Sequence, residues 1–263
     1  MNRLDKIINF NEMLLDDQPQ YREDAADFSK DMAGQRRLMR SLMNVRHPRI
    51  IPKELLRLQD ELLAEEKEEK GVVSVSELPS TKADERLILW QGDITRLDAD
   101  AIVNAANSRL LGCFVPCHAC IDNAIHSAAG LELREECAAI MKAQGHEEET
   151  GRAKLTKGYN LPAGHVIHTV GPIIYGRVTD RDRALLASCY RSCLELAEEN
   201  GIQSIAFCCI STGEFHFPNQ EAAEIAVRTV KQYFEEHEST GIKKVIFNVF
   251  KDTDAAIYQE LLV

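Results

Sequence analysis

The stretch LILWQGDITRLDADAIVNAANS, residues 87–108, decides how the chain is organised. Leu87–Gln91 is a short apolar run that ends on Gly92-Asp93-Ile94-Thr95. Ala101–Asn104 is a second such run, ending on small residues and Asn107. Runs this apolar fit strands covered by helices on both faces of a sheet. Downstream, further strands are expected at Ala153–Leu161, Val166–Val170, Ser204–Ile210 and Lys244–Phe250. Helices are expected at Ile121–Ala129, Arg181–Asn200, Gln220–Glu236 and Thr253–Leu262. Strands alternating with helices of this length predict a layered α/β domain.

Upstream the pattern is helical. The stretch from Tyr21 to Val45 reads as helix, interrupted by Gly34 and closed by His47-Pro48. Pro52 suits a helix start, after which Leu55, Leu56, Leu58, Leu62 and Leu63 recur at helical spacing. Pro79 and several serines mark a boundary. The expected organisation is a helical N-terminal extension over residues 1–70, a linker over 71–84 and the sheet domain over 85–263.

Composition narrows the function classes. The 263 residues are 44% hydrophobic and 28% charged, with a formal net charge of −11. So acidic a surface repels polyanions, so no nucleic-acid partner is expected. No apolar run approaches the roughly 20 residues that span a bilayer, and the N-terminus lacks an apolar leader core. A cytoplasmic protein with no membrane partner is expected. Five of the eight cysteines, Cys137, Cys189, Cys193, Cys208 and Cys209, sit in contexts where a free thiol behaves as a small hydrophobe.

The remaining three cysteines fall in GCFVPCHACIDN, residues 112–123, with His118 among them. Thiolates and imidazole are the ligands zinc prefers, and three of them leave a coordination position open, though the same residues also suit a structural zinc or free thiols. No second pair of matching spacing accompanies the cluster. Asp122 and His126 share one helix face, where Asp122 serves equally as a proton acceptor or a helix cap. Asp93 and the pair Asn104 and Asn107 end strands, where α/β proteins bind ligands, though both sites also suit plain turns. Ser211-Thr212-Gly213-Glu214-Phe215-His216-Phe217-Pro218 joins a strand to a helix, and its backbone N–H groups can face phosphate.

Together these stretches resemble a macrodomain, the family that binds ADP-ribose. The resemblance is carried by GDIT at 92–95, VNAANS at 103–108 and AIHSAAG at 124–130. It continues with GRAKLTKGYNLPAGHVIHTVGP at 151–172 and STGEFHFP at 211–218. The 22-residue stretch is most similar to MacroD-type hydrolases, which remove ADP-ribose from proteins. Residues 112–123 depart from their glycine-rich loop and resemble the zinc-containing macrodomains of bacteria. The resemblance implies a three-layer α/β fold with a mixed central sheet flanked by helices.

It also implies one Zn2+ per chain on Cys113, His118 and Cys120, with Cys117 at a variable position. Carried over position by position, Asp93 and Ile94 meet the adenine, and Asn104 and Asn107 lie near the distal ribose. Ser211, Thr212, Gly213, Glu214 and Phe215 hold the diphosphate, Phe250 stacks on adenine, Asn123 joins the ligand-binding set and Asp122 is the loop carboxylate. The expected catalytic group is Asp122 and Asn107 with Cys113, His118 and Cys120. Such proteins are associated with a bacterial sirtuin class that modifies a lipoyl-carrier protein related to the glycine-cleavage H protein. The expected activity is zinc-dependent hydrolysis that frees ADP-ribose from modified protein side chains. Two other classes stay open on the residues alone: a reader that binds modified protein without cleaving it, and a hydrolase of small derivatives such as O-acetyl-ADP-ribose.

Overall fold

The computed structural model of the protein describes residues 2–262. Met1 and Val263, the outer ends of the expected extension and sheet domain, lie outside the described residues. Six strands form one sheet: β1 (Leu87–Gln91), β2 (Ala101–Ala106), β3 (Ala153–Lys157), β4 (His165–Val170), β5 (Ser204–Phe207) and β6 (Lys244–Val249). Their order is β1-β6-β5-β2-β4-β3, parallel throughout except that β3 runs antiparallel to β4. The sheet is therefore mixed, with a parallel interior whose strands are almost entirely buried.

Helices cover both faces. α5 (Ile121–Ala129) packs on β2 and α6 (Leu131–Gln144) on β3. α7 (Asp180–Glu199), α8 (Asn219–Glu236) and α9 (Asp252–Leu261) lie side by side, with α7 against β3 and β4 and α9 against β1 and β6. The result is the expected three-layer α/β domain. α7 begins in a reciprocal cap in which the Thr179 side chain takes the Asp182 N–H and Asp182 takes that of Thr179.

Most expected elements sit within two residues of their observed bounds, and the exceptions have local causes. β3 stops at Lys157 instead of reaching Leu161, because a tight turn follows in which Gly158 donates to the Gly164 carbonyl at 2.8 Å. A Cβ on Gly158 would stand 1.9 Å from the Ala163 oxygen, so only glycine permits that approach. β5 stops at Phe207 because Cys208–Ile210 leave the ladder. α6 was not expected: it restarts directly after Gly130 (φ +98), and its apolar face is broken by Arg134, which is itself buried.

The N-terminal extension is helical, as expected. α1 (Arg3–Asp17), α3 (Met32–Val45) and α4 (Lys53–Lys70) pack together, with the short α2 (Arg22–Ala26) between the first two. They enclose a core of their own built on Ile7, Phe10, Leu14, Leu38, Leu42, Leu55 and Leu62, into which Leu131 of α6 inserts. Gly34 does not interrupt the helix. The break lies at residues 27–31, and Gly34 sits in the first turn of α3, where Asp31 caps its N–H at 2.8 Å and a Cβ would strike Ser29. Residues 71–84 are pinned to the sheet domain, since Val75 donates to Asp98 at 2.7 Å and Ser80 bridges to Ile88. No helix among the described residues is long and apolar enough to cross a membrane.

Two enclosed imidazoles give the fold a pH signature. Burial pushes the His168 pKa from 6.5 down to about 3. It lowers that of the neighbouring His126 as well, with His168 adding to the effect. Both rings are neutral when folded and take up protons when released, so their contribution is complete above about 6.5 and is lost as the pH falls towards 3. Asp122 acts in the opposite sense, because burial raises its pKa to about 6. With two imidazoles against one carboxyl, urea stability is expected to fall from pH 7 to pH 4, and His168→Gln should flatten that fall. An unchanged pH slope in the variant would contradict the assignment.

Candidate functional site

The carboxyl ends of the parallel strands open into a cavity of about 1350 Å3. β1 delivers Gly92, Asp93 and Ile94 to its wall, β2 delivers Ala105, Ala106 and Asn107, and β6 is followed there by Phe250. This is where ligands bind in parallel α/β sheets, because strand ends present side chains and unpaired backbone there. Asp93 caps the short turn that follows it: its Oδ1 accepts from the Thr95 N–H at 3.0 Å and the Thr95 hydroxyl at 2.7 Å. Its Oδ2 stays available, with Lys70 of α4 3.8 Å away. The cap and the cavity-lining side chain are thus the same residue. The Phe250 ring is 75% exposed at the cavity edge.

The loop after β5 folds tightly around its own backbone. Phe217 donates to the Ser211 carbonyl at 2.9 Å and His216 to that of Gly213 at 3.0 Å, with Ser211 (φ +65) and His216 (φ +57) left-handed. Neither residue is glycine, so the loop carries backbone strain of the kind that concentrates at ligand sites. A Cβ on Gly171, at the end of β4, would stand 2.0 Å from Ser211 Oγ, so that glycine makes room for the loop. Among the described residues the N–H groups of Gly213, Glu214 and Phe215 have no acceptor, and they lie just ahead of α8. Free N–H groups before a helix N-terminus make an anion cradle.

The Cys/His loop lies across the cavity. The ligand atoms of Cys113, His118 and Cys120 all lie within 4.8 Å of one another. Cys117 turns away, left-handed (φ +53), with its thiol 3.3 Å from the Ser41 hydroxyl. Cys120 caps α5, its sulfur accepting the Asn123 N–H at 3.4 Å. Burial pushes the Cys120 thiol up to about 12, opposed by that N–H. His118 Nδ1 is buried without a partner, and two sulfurs with one ring nitrogen are a donor set that suits zinc. The residues therefore fit a zinc ion. His118 Nε2 also stands 3.8 Å from Glu214, so the Cys/His loop and the anion cradle meet across the cavity.

Asp122 lies in the first turn of the same helix, two residues after Cys120, and is 5% exposed. Asn104 donates to its Oδ1 at 2.8 Å, and Asn107 to its Oδ2 at 3.3 Å. Burial raises its pKa to about 6 against these two amides and Arg134. His126 Nε2 is 3.5 Å from Asp122 but neutral, so the two form no ion pair. Asn104 and Asn123 are fully buried and do not line the cavity; each holds a neighbour that does. A second group of close ligand atoms, His126, Cys137 and His168, is fully enclosed, and none of the three lines the cavity. Burial keeps the Cys137 thiol protonated and both rings neutral there.

The structure brings together at the cavity Asp93, Ile94, Asn107, Cys113, His118, Cys120, Asp122, Ser211, Thr212, Gly213, Glu214, Phe215 and Phe250. It adds residues the sequence did not single out. Cys208 and Cys209 line the cavity, and Tyr21, Arg40, Val45 and His47 reach it from the extension. No spacing rule connects those four to a site whose other lining residues begin at Gly92.

A family model described as Macro domain matches residues 103–226. A Treponema medium protein named "Protein-ADP-ribose hydrolase" is 51% identical over 264 residues, covering 100% of both chains. A Staphylococcus aureus (strain MSSA476) protein of the same name is 51% identical over 224 residues, 85% of this chain and 83% of that one. Among solved structures, the Trypanosoma brucei macrodomain in complex with ADP-ribose aligns with a TM-score of 0.66 at 31% identity, over 82% of this chain and 92% of that chain. The Oceanobacillus iheyensis macrodomain with ADP aligns at 0.59 and 41% identity, over 66% and 88%. On these matches and on the fold that carries the cavity, the chain belongs to the macrodomain family.

Proposed function

We propose that this protein hydrolyses the bond between the distal ribose of ADP-ribose and a protein side chain, with zinc held by Cys113, His118 and Cys120. The observation that carries this reading is the meeting of the anion cradle, the Cys/His loop and the Asp122 carboxyl at one cavity. The names of the Treponema and Staphylococcus relatives support it. A protein that only reads ADP-ribose needs neither an open metal position nor a buried carboxyl.

In this reading Asp93 Oδ2 and the Ile94 backbone take the adenine amino group, and the exposed Phe250 ring stacks on the base. The N–H groups of residues 213–215 hold the diphosphate, which supplies binding energy remote from the scissile bond and keeps the anomeric carbon in register. When bound, zinc supplies a Lewis acid at the ribose end of the cavity. Water attacks the anomeric carbon, Asp122 accepts its proton, and the side-chain oxygen or nitrogen departs with the bonding pair. Asn104 and Asn107 fix both Asp122 oxygens, so the carboxylate is aimed before substrate arrives. The protein partner proposed from the motif resemblance is a modified lipoyl-carrier protein, with ADP-ribose as product. Thiols packed as small apolar side chains support a cytoplasmic setting.

Asp122→Asn is expected to lower kcat by about 10²–10⁴ while ADP-ribose binding, measured by calorimetry, stays near the wild-type value. Full turnover in this variant would remove the carboxyl from the mechanism. Cys113→Ala or His118→Ala should abolish release of ADP-ribose from a modified protein. Full activity in a demonstrably zinc-free variant would exclude a catalytic metal. Offered a modified protein and O-acetyl-ADP-ribose side by side, the wild type is expected to favour the protein; a preference for the small ester would assign it to the other class.

A further inference from the structure

The loop that carries the Cys/His cluster makes few hydrogen bonds of its own, the main one being His118 N–H to the Val115 carbonyl at 3.2 Å. Left to itself, such a segment is costly to order, whereas metal ligands need placement to within about 0.5 Å. The restraint comes from the N-terminal extension. Arg40 of α3 donates through Nε and Nη2 to Asn123 Oδ1 at 3.1 and 2.7 Å, and through Nη2 to the His118 carbonyl at 3.1 Å. Asn44, one turn later on the same face, accepts the Cys117 N–H at 2.9 Å and donates to Ser127 Oγ at 3.0 Å.

The hold extends along the loop. The His47 ring stacks on Phe114 with centroids 4.8 Å apart. Arg134 also lies over the Phe114 ring, its guanidinium 4.3 Å from the centroid. The same guanidinium donates to the Leu111 carbonyl at 2.7 Å and to the carbonyls of Met43, Asn44 and Arg46 at the end of α3. Asn123, which Arg40 grips, in turn donates to the Val115 carbonyl and gives its N–H to the Cys120 sulfur. Each of the three ligands is thus tied, directly or through one neighbour, to residues 40–47.

We propose that α3 is a working part of the metal site: Arg40 and Asn44 are positioning residues that hold the 112–120 loop in its ligating geometry. The inference rests on the zinc reading proposed above. It gives the extension a role beyond covering the sheet domain. Arg40 lies outside the core of the extension, so removing its side chain leaves the packing of α1, α3 and α4 in place.

The test compares wild type, Arg40→Ala, Arg40→Lys and Asn44→Asp as full-length chains. Zinc affinity is read by chelator competition, site geometry by the visible absorption of the cobalt-substituted protein, and turnover by kcat and KM separately. Arg40→Ala should melt near the wild-type temperature and lose zinc affinity by about 10–100-fold, as supporting residues around metal ligands do. Its cobalt bands should shift, and kcat should fall with KM unchanged. Arg40→Lys, which keeps the charge but loses the Nε contact to Asn123 and the planar fork, should fall between. Asn44→Asp keeps the acceptor for Cys117 and should retain zinc. Should Arg40→Ala fail to fold, Arg40→Lys carries the comparison. Wild-type zinc affinity, cobalt bands and kcat in the arginine variants would overturn the proposal, as would a drop in melting temperature alone. A wild-type protein that binds no zinc would instead overturn the zinc reading itself.

Discussion

A carboxylate buried where a central strand meets a helix organises the site. Taking Asp122 out of water is costly unless its oxygens are bonded, and Asn104 and Asn107 supply those bonds from within and just beyond β2. The two amides sit three residues apart across the strand end, so one is locked inside the sheet and the other reaches the cavity. Asn104 is itself held by the neutral ring of His168, its register partner on β4. The position of the carboxyl is therefore set by the sheet and by a closed polar cluster behind it, and α5 must start where it does. That in turn places Cys120, the cap of α5, two residues before Asp122 at the cavity wall.

Around this fixed point two loops become one device. The strained loop at 211–217 presents free N–H groups, and the Cys/His loop presents thiols and an imidazole. They approach each other at Glu214 and His118. The backbone N–H groups suit an anion and the thiols and imidazole beside them suit a metal, so in the proposed mechanism binding and chemistry fall to different residues of one cavity. The extension completes the arrangement, since Lys70 reaches Asp93 and Arg40 reaches the His118 carbonyl.

Much of this was legible in the sequence. Strand-and-helix alternation gave the layered domain, and small residues with Asp or Asn at strand ends marked the cavity. Three things were not legible. α6 escaped because Arg134 interrupts its apolar face, and burial of an arginine depends on carbonyls from a different segment. The inward turn of Asn104 escaped because a strand end and a turn use the same residue types. The contribution of Arg40 and Asn44 escaped because polar residues on an amphipathic helix look like a solvated face until the partner surface is known. Cys117, by contrast, was set apart from Cys113, His118 and Cys120 by motif position, and its thiol lies against Ser41 and the Arg37 carbonyl.

In the proposed mechanism metal and cleavage belong together at this cavity. The most direct measurement is ADP-ribose release from a mono-ADP-ribosylated protein before chelation, after it and after zinc is restored, with metal content determined on all three samples. Release is expected to disappear with the zinc and to return with it. Firm retention of the modified protein without release, in the zinc-loaded sample, would contradict it and make the Cys/His loop a structural element of a reader.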